Sequence, residues 1–234
     1  MPIQNQGPHF CSDDSDLLSE IMSARRDVRG NRFLADELAQ EDIEQIFAAA
    51  LMAPSVGFSQ PWEFITITNR TTKELIADSF FIENEKAKAL FQAGKFEVGK
   101  LEQYQQLKLE GILESPLNIA VFYNPKNGPV LGQTSMPDMG RYSVVCAIQN
   151  MWLKARSLNI GMGWVSILDP IKVKTILNAP QDRELIAYLC LGKVDKVSIS
   201  PNWKPSSGRK KRHHSRSFFP TATNKIALAH PSIH

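Results

Sequence analysis

The sequence predicts an α+β layered domain, and three observations carry that prediction. Some stretches repeat apolar residues at helical spacing, while others are short, continuous apolar runs of the kind that form buried strands. The two kinds intermix without a strict strand–helix–strand rhythm, which argues against a doubly wound sheet. With 234 residues, 43% of them hydrophobic, the chain can bury a full core without a disulfide or metal staple.

Each element has its own signal. Leu17, Leu18, Ile21 and Met22 follow Ser12, Asp13 and Ser15, all capable N-caps, so a first helix ends near Arg25. A second helix, Glu41 to Ala53, begins with acids, carries Ile43, Ile46, Phe47 and Ala50 on one face and stops at Pro54. "WEFITIT", Trp62 to Thr68, reads as a strand. Residues 71–114 are charged, with helical stretches over Glu74 to Phe91 and Phe96 to Leu113, and have the polarity of a peripheral lid. "LNIAVFY", Leu117 to Tyr123, is a buried strand followed by a loop, "NPKNGP". Asp138 or Ser143 caps a helix in which Tyr142, Val145, Ile148, Met151, Trp152 and Ala155 leave hardly any polar face. Such a helix belongs in the core or at a dimer interface. Strands over 163–168 and 184–192 flank a short helix from Ile171 to Asn178.

Charge and residue usage exclude several functions. Lys and Arg total 27 against 24 Asp and Glu, but eight of the bases and none of the acids follow Asp195. The body before that point therefore carries five more acids than bases. All five histidines, His9, His213, His214, His230 and His234, lie near the termini. A Ser-His-Asp or Cys-His hydrolase, or a histidine-ligated metal centre, needs imidazole inside the folded body, so no metal is expected and a catalytic body needs a cofactor. Cys11, Cys146 and Cys190 form no C-x-x-C pair and read as idle thiols. No apolar run reaches the roughly 20 residues of a membrane span, and "MPIQNQGPHF" lacks the pattern of a signal peptide. A soluble, cytoplasmic protein is expected.

Three segments are candidates for a site. "SARRDVRG" places Arg25, Arg26, Asp27 and Arg29 at the end of the first helix, either as an anion socket or as charges that complement the helix dipole. "APSVGFSQPW" joins a helix to a strand through two prolines, Gly57 and two hydroxyls, one of them Ser55. "GMGWVSI" has glycines that permit close backbone approach and a serine, Ser166, within an apolar strand. No G-x-G-x-x-G or Walker A loop is present.

"RRDVRGNRF", "APSVGFSQPW", "LKLEGILESPLNIAVF", "CAIQNMWLKARSLNIGMGWVSI" and "AYLCLG" together resemble the BluB family of 5,6-dimethylbenzimidazole synthases, within the nitroreductase-like flavoproteins. The similarity runs in order over roughly residues 15–196. It implies a central mixed β-sheet flanked by helices in a homodimer. It also implies an N-terminal extension over 1–14, an FMN domain over 15–196 with its lid over 71–114, and a separate tail over 197–234. The family consumes its flavin: reduced FMN reacts with dioxygen and is fragmented to 5,6-dimethylbenzimidazole and erythrose 4-phosphate. A separate flavin reductase is then the expected supplier of reduced FMN. By resemblance Arg25, Arg26, Asp27, Val28, Arg29, Ser55, Leu109 and Ser166 contact the flavin, with Asp27 and Ser166 catalytic.

The tail departs from the family pattern. An arginine or lysine that reaches the flavin phosphate is expected after "LCLGKVD", and Arg209 or Arg212 are the nearest candidates in an acid-free, proline-bearing stretch. Two other readings of the chain stand beside the synthase. One is a nitroreductase or flavin reductase that recycles FMN with NAD(P)H, against which "RRDVR" and "GWVS" argue. The other is nucleic-acid binding through "GRKKRHHSR", which the acidic body opposes.

Overall fold

The structure, a computed structural model, describes residues 7–92, 111–125 and 130–194. The expected helix from Phe96 (apart from its last three positions), Leu109 and everything after Val194 lie outside the described residues.

Four strands form one sheet: β1 (Trp62–Ile67), β2 (Leu117–Tyr123), β3 (Ile160–Val165) and β4 (Glu184–Lys193), in the order β1-β2-β4-β3. Every neighbouring pair is antiparallel. The mixed character expected of the sheet reduces, among the described residues, to one parallel bridge from Asp27 to Met162 on β3. Helices α1 (Ser12–Ala24), α2 (Gln40–Leu51), α3 (Arg70–Gln92), α4 (Met139–Ser157) and α5 (Pro170–Ile176) complete the fold. Most expected boundaries stand within about three residues. The helix α1 begins at Ser12, ahead of the domain start expected at residue 15, and the Cys11 amide donates to Asp14 Oδ2 at 2.9 Å.

Both faces of the sheet are covered, which explains why its central strands read as unbroken apolar runs. Leu117, Ile119, Val121 and Tyr123 of β2, with Ala187, Leu189 and Leu191 of β4, meet α2 and α4 on one side. The alternate residues Ala120, Phe122, Tyr188 and Cys190 join Ile76, Ala77 and Phe80 of α3 and Val173 of α5 on the other. The period-two alternation of strand side chains sorts the residues between the two cores. The short helix α5 starts where Asp169 accepts hydrogen bonds from the amides of Ile171 and Lys172, with Pro170 in the first helical position.

Two helices present apolar surface outward. In α4, Val144, Ala147, Ile148, Met151 and Ala155 are buried, yet Tyr142, Val145 and Cys146 on its other side are exposed. No residue of α1 is buried, and Leu17, Leu18 and Met22 all face out. The apolar stripe that marks α1 as a helix therefore does not enter the core of its own chain. No helix among the described residues is long and apolar enough to cross a membrane.

Burial also governs the ionisation of one core thiol. Cys190 on β4 is fully enclosed, and desolvation pushes its pKa from 9.0 up to about 12. In the unfolded chain the thiol ionises first, so its contribution holds below about pH 9 and is lost as pH rises toward 12. Burial moves Tyr188 in the same direction. Alkaline denaturation followed by circular dichroism should thus be shallower in Cys190→Ala than in the parent between pH 9 and 12. Identical slopes would show that the buried thiol carries no such linkage.

Candidate active site

The chain leaves α1 at Arg25 in an extended conformation and runs along the outer edge of β3, the edge strand of the sheet. The Val28 amide donates to Met162 O at 3.1 Å. Side chains then continue the pairing that the backbone begins. Asp27 Oδ1 accepts the Trp164 amide at 3.0 Å, and the Arg29 guanidinium donates to the Trp164 carbonyl. Arg29 Nε closes the bracket on Asp27 Oδ2 at 2.7 Å, with the Arg29 side chain 14% exposed. An edge amide and an edge carbonyl that a neighbouring strand would otherwise satisfy are thus held by an ion pair.

The glycines of "GMGW" make this approach possible. A Cβ on Gly163 would fall within contact distance of the Val28 carbonyl oxygen, and one on Gly161 would lie 2.6 Å from Val194 Cγ1 and 3.0 Å from Val28 Cγ2. What comes close to these glycines is this chain's own arginine segment. The pairing also corrects the strand's limits. β3 spans Ile160–Val165, earlier than the expected 163–168, because it stays in register with Tyr188 to Lys193 of β4. Ser166, expected inside the strand, is instead exposed one residue beyond its end. It stands two positions after Trp164, the residue that Asp27 and Arg29 bracket.

The arginines divide their work. Arg26 turns back to the carbonyls of Arg25, at 2.7 Å, and Ser23. Arg25 lies over the Trp152 ring, its Cζ 4.8 Å from the centroid. The indole of Trp152 donates to Arg26 O at 3.2 Å, which ties α4 to the segment. Arg25, Arg26, Trp152, Arg156 and Met162 line a shallow depression here. Arg156 Nε is buried there without a hydrogen-bond partner among the described residues. Three guanidiniums, of Arg25, Arg26 and Arg156, thus gather at one depression, and a phosphate monoester such as that of FMN calls for donors of this kind.

Ser55 stands elsewhere. Its Oγ accepts the Gln60 amide at 3.1 Å and closes a turn in which Gly57, Phe58 and Gln60 all have positive φ. The Val56 amide donates to Ser143 Oγ at 3.0 Å, which fastens this loop to the first turns of α4. Trp152 follows Ser143 by nine positions, roughly 13 Å along a helix. The loop and the arginine segment are therefore attached at different levels of α4. Phe58, at the loop's tip, is 97% exposed.

Trp152, Trp164, Arg156 and Ser143 escape a reading that weighs segments singly. The available signal was the tryptophan in "GMGW", since an aromatic directly after two spaced glycines marks where a second chain segment comes near. One substitution tests this geometry. Gly163→Ala should destabilise the fold by about 1–3 kcal/mol in chemical denaturation, because the added methyl meets backbone and not a movable side chain. A variant as stable as the parent would mean that the segment is not seated on β3.

The comparisons agree with this architecture. The model of the nitroreductase family matches residues 22–193. A 5,6-dimethylbenzimidazole synthase of Rhodospirillum rubrum is 41% identical over 188 residues, covering 80% of this chain and 86% of that protein. Among solved structures, a BluB-like flavoprotein from Clostridium difficile superposes with a TM-score of 0.60 at 24% identity, covering 80% of this chain and 94% of that one. Oxidized iodotyrosine deiodinase bound to FMN and 3-iodo-L-tyrosine gives a TM-score of 0.64 at 20% identity, covering 84% and 98%. On the family match and the identity to the synthase, this chain belongs to the nitroreductase family and, within it, groups with the 5,6-dimethylbenzimidazole synthases.

Proposed function

We propose that this protein is a 5,6-dimethylbenzimidazole synthase that fragments reduced FMN with dioxygen and releases erythrose 4-phosphate. The observation that carries the proposal is the 41% identity to a synthase across 86% of that protein's length. The geometry supports it. Arg25, Arg26 and Arg156 gather positive charge of the kind a flavin phosphate requires, and the arginine segment is held beside β3 by Val28, Asp27 and Arg29. FMN itself supplies the reducing electrons and the atoms of the product, so the protein's task is binding, exclusion of water and the movement of protons.

Asp27 and Ser166 are the residues proposed for those protons. Asp27 Oδ1 is anchored by the Trp164 amide, which fixes the direction of the carboxylate, and its side chain remains 43% exposed. Ser166 presents an exposed hydroxyl close by along the chain. Arg26, Val28, Ser55 and Leu109 complete the proposed flavin contacts, within a domain proposed to span residues 15–196 and its lid over 71–114. The protein is proposed to act in the cytoplasm, supplied with reduced FMN by a separate flavin reductase.

The homodimer is proposed on two features of the single chain. The outward apolar residues of α1 and α4, Leu17, Leu18, Met22, Tyr142 and Val145, need a cover. The Ser55 loop is fastened to α4 some two turns before the arginine segment, so a second copy packed across α4 would bring one copy's loop to the other's arginines. Sedimentation should give a dimer, and Val145→Glu should shift it to monomer with loss of FMN affinity. A monomeric parent that binds FMN fully would overturn the arrangement.

The activity has a direct assay. FMN reduced by a separate reductase in air should be converted by this protein to 5,6-dimethylbenzimidazole, with irreversible loss of flavin by chromatography. Asp27→Asn and Ser166→Gly should retain FMN binding yet lower product formation by about 100-fold or more. Intact FMN after many turnovers, with NAD(P)H consumed by this protein directly, would identify a reductase instead.

A further inference from the structure

Lys73, in the first turn of α3, is only 5% exposed, and no other Lys, Arg, Asp or Glu among the described residues is buried. Burying an ammonium costs several kcal/mol unless close partners compensate. No carboxylate lies within salt-bridge distance of Lys73 among the described residues. Its Nζ donates instead to two backbone carbonyls, Ser115 O at 2.7 Å and Pro116 O at 2.8 Å. Desolvation accordingly holds its pKa below the ordinary value. A methionine of similar length would avoid this cost, so the two donated bonds must do something that apolar packing does not.

The surroundings show what depends on them. Residues 111–116 are gripped from three further directions. Asn118 Nδ2 donates to Ile112 O at 2.8 Å, Arg70 donates to Leu113 O at 3.3 Å, and Ser115 Oγ donates to Asn118 Oδ1. Asn118 is itself fixed by its contact with the Tyr188 hydroxyl at 2.9 Å. This short segment in turn forms one wall of the seat for Phe33. The Phe33 ring lies 3.4 Å from where a Cβ on Gly111 would be. Pro116 and Phe33 both crowd Gly192, at 2.7 and 2.9 Å from its would-be Cβ. Phe33 is 7% exposed and bridges to Val194, while the Leu34 amide donates to Lys193 O at 2.9 Å. Phe33 is thus the downstream anchor of the segment whose upstream part carries Arg25 to Arg29.

We infer that Lys73 is a positioning residue for the flavin site: its ammonium, by holding the Ser115 and Pro116 carbonyls, fixes the seat in which Phe33 anchors the Arg25–Arg29 segment. The inference rests on the reading above that this segment holds the flavin. Among the described residues Lys73 hydrogen-bonds to no proposed flavin contact, and it acts through Pro116 and Phe33.

Two measurements on the full-length protein test it. The first is FMN affinity by quenching of flavin fluorescence. The second, made without flavin, is the rate of limited trypsin cleavage after Arg25, Arg26 and Arg29, read by mass. Lys73→Met should weaken FMN binding at least tenfold and speed that cleavage at least fivefold. Lys73→Arg, which keeps charged donors for the same carbonyls, should restore both to within about threefold of the parent. Ile46→Ala, a core deletion on the opposite face of the sheet, controls for general loss of stability and should leave both within about twofold. If Lys73→Met does not fold, Lys73→Gln is read by the same two measurements. Arg25→Ala separates the two readings. If it leaves FMN affinity unchanged, the segment is not the flavin's seat and the site assignment fails, while trypsin cleavage alone then judges the clamp. If Arg25→Ala weakens FMN but Lys73→Met alters neither measurement, or Ile46→Ala alters both equally, the role assigned to Lys73 is wrong.

Discussion

The architecture of the site depends on how the outer edge of β3 is closed. An exposed edge strand offers unpaired amides and carbonyls, and here they are taken up by five residues that have just left a helix. One backbone hydrogen bond at Met162 begins the closure, and the Asp27–Arg29 pair around Trp164 extends it. A charged pair at this position does what a neighbouring strand would do, but leaves a carboxylate and a guanidinium at the surface of a sheet edge. Chemistry-bearing groups are therefore placed by the same contacts that satisfy the backbone. Gly163 is the steric condition for it all, since any side chain there would push Val28 away.

The double-sided sheet explains the rigidity behind that edge. With α2 and α4 on one face and α3 and α5 on the other, β2 and β4 are buried throughout their central residues, and displacement of β3 would disturb both cores. The helix α4 carries attachments for two of the candidate segments. Ser143 near its start holds the Ser55 loop, and Trp152 farther along supports Arg25 and Arg26. A helix is a suitable ruler because its rise is fixed, so the separation of the two attachments does not depend on the loops themselves.

Much of this was legible in the sequence, for specific reasons. The strand "LNIAVFY" is matched residue for residue because an apolar run broken only by Asn118, between a proline and a polar loop, admits few other readings. The end of α1 before the arginines and the start of α5 at Asp169–Pro170 carry local capping chemistry that needs no tertiary information. Less legible were features that arise between segments. The expected start of β3, Gly163, lies three residues late because "NIGM" before it has no clear strand signal. Only the proximity of Val28 and Val194 shows that Gly161 and Gly163 are where a strand must be bare. The arginines form one run in the sequence, yet Arg26 donates to carbonyls at its own helix end, Arg29 to Trp164 on β3, and Arg25 stacks on a tryptophan 127 positions away. The outward apolar face of α1 was equally hidden, since periodicity reveals that a helix has an apolar stripe and not what covers it.

The absence of histidine between residues 10 and 212 acquires a structural counterpart in this arrangement. Enzymes that perform acid–base chemistry on an inert substrate need side chains whose protonation changes near neutral pH. Here the cluster beside β3 consists of guanidiniums, a carboxylate held between an amide and Arg29, and indoles, groups set in fixed directions by their contacts. Under the proposed function the ligand, FMN, carries the reactivity itself. The site's contribution is preorganisation: donors and a carboxylate held by backbone pairing need not reorganise when charge moves on the bound group. A buried lysine satisfied only by carbonyls fits the same logic, because a charge that takes no part in chemistry can still determine where the participating charges stand.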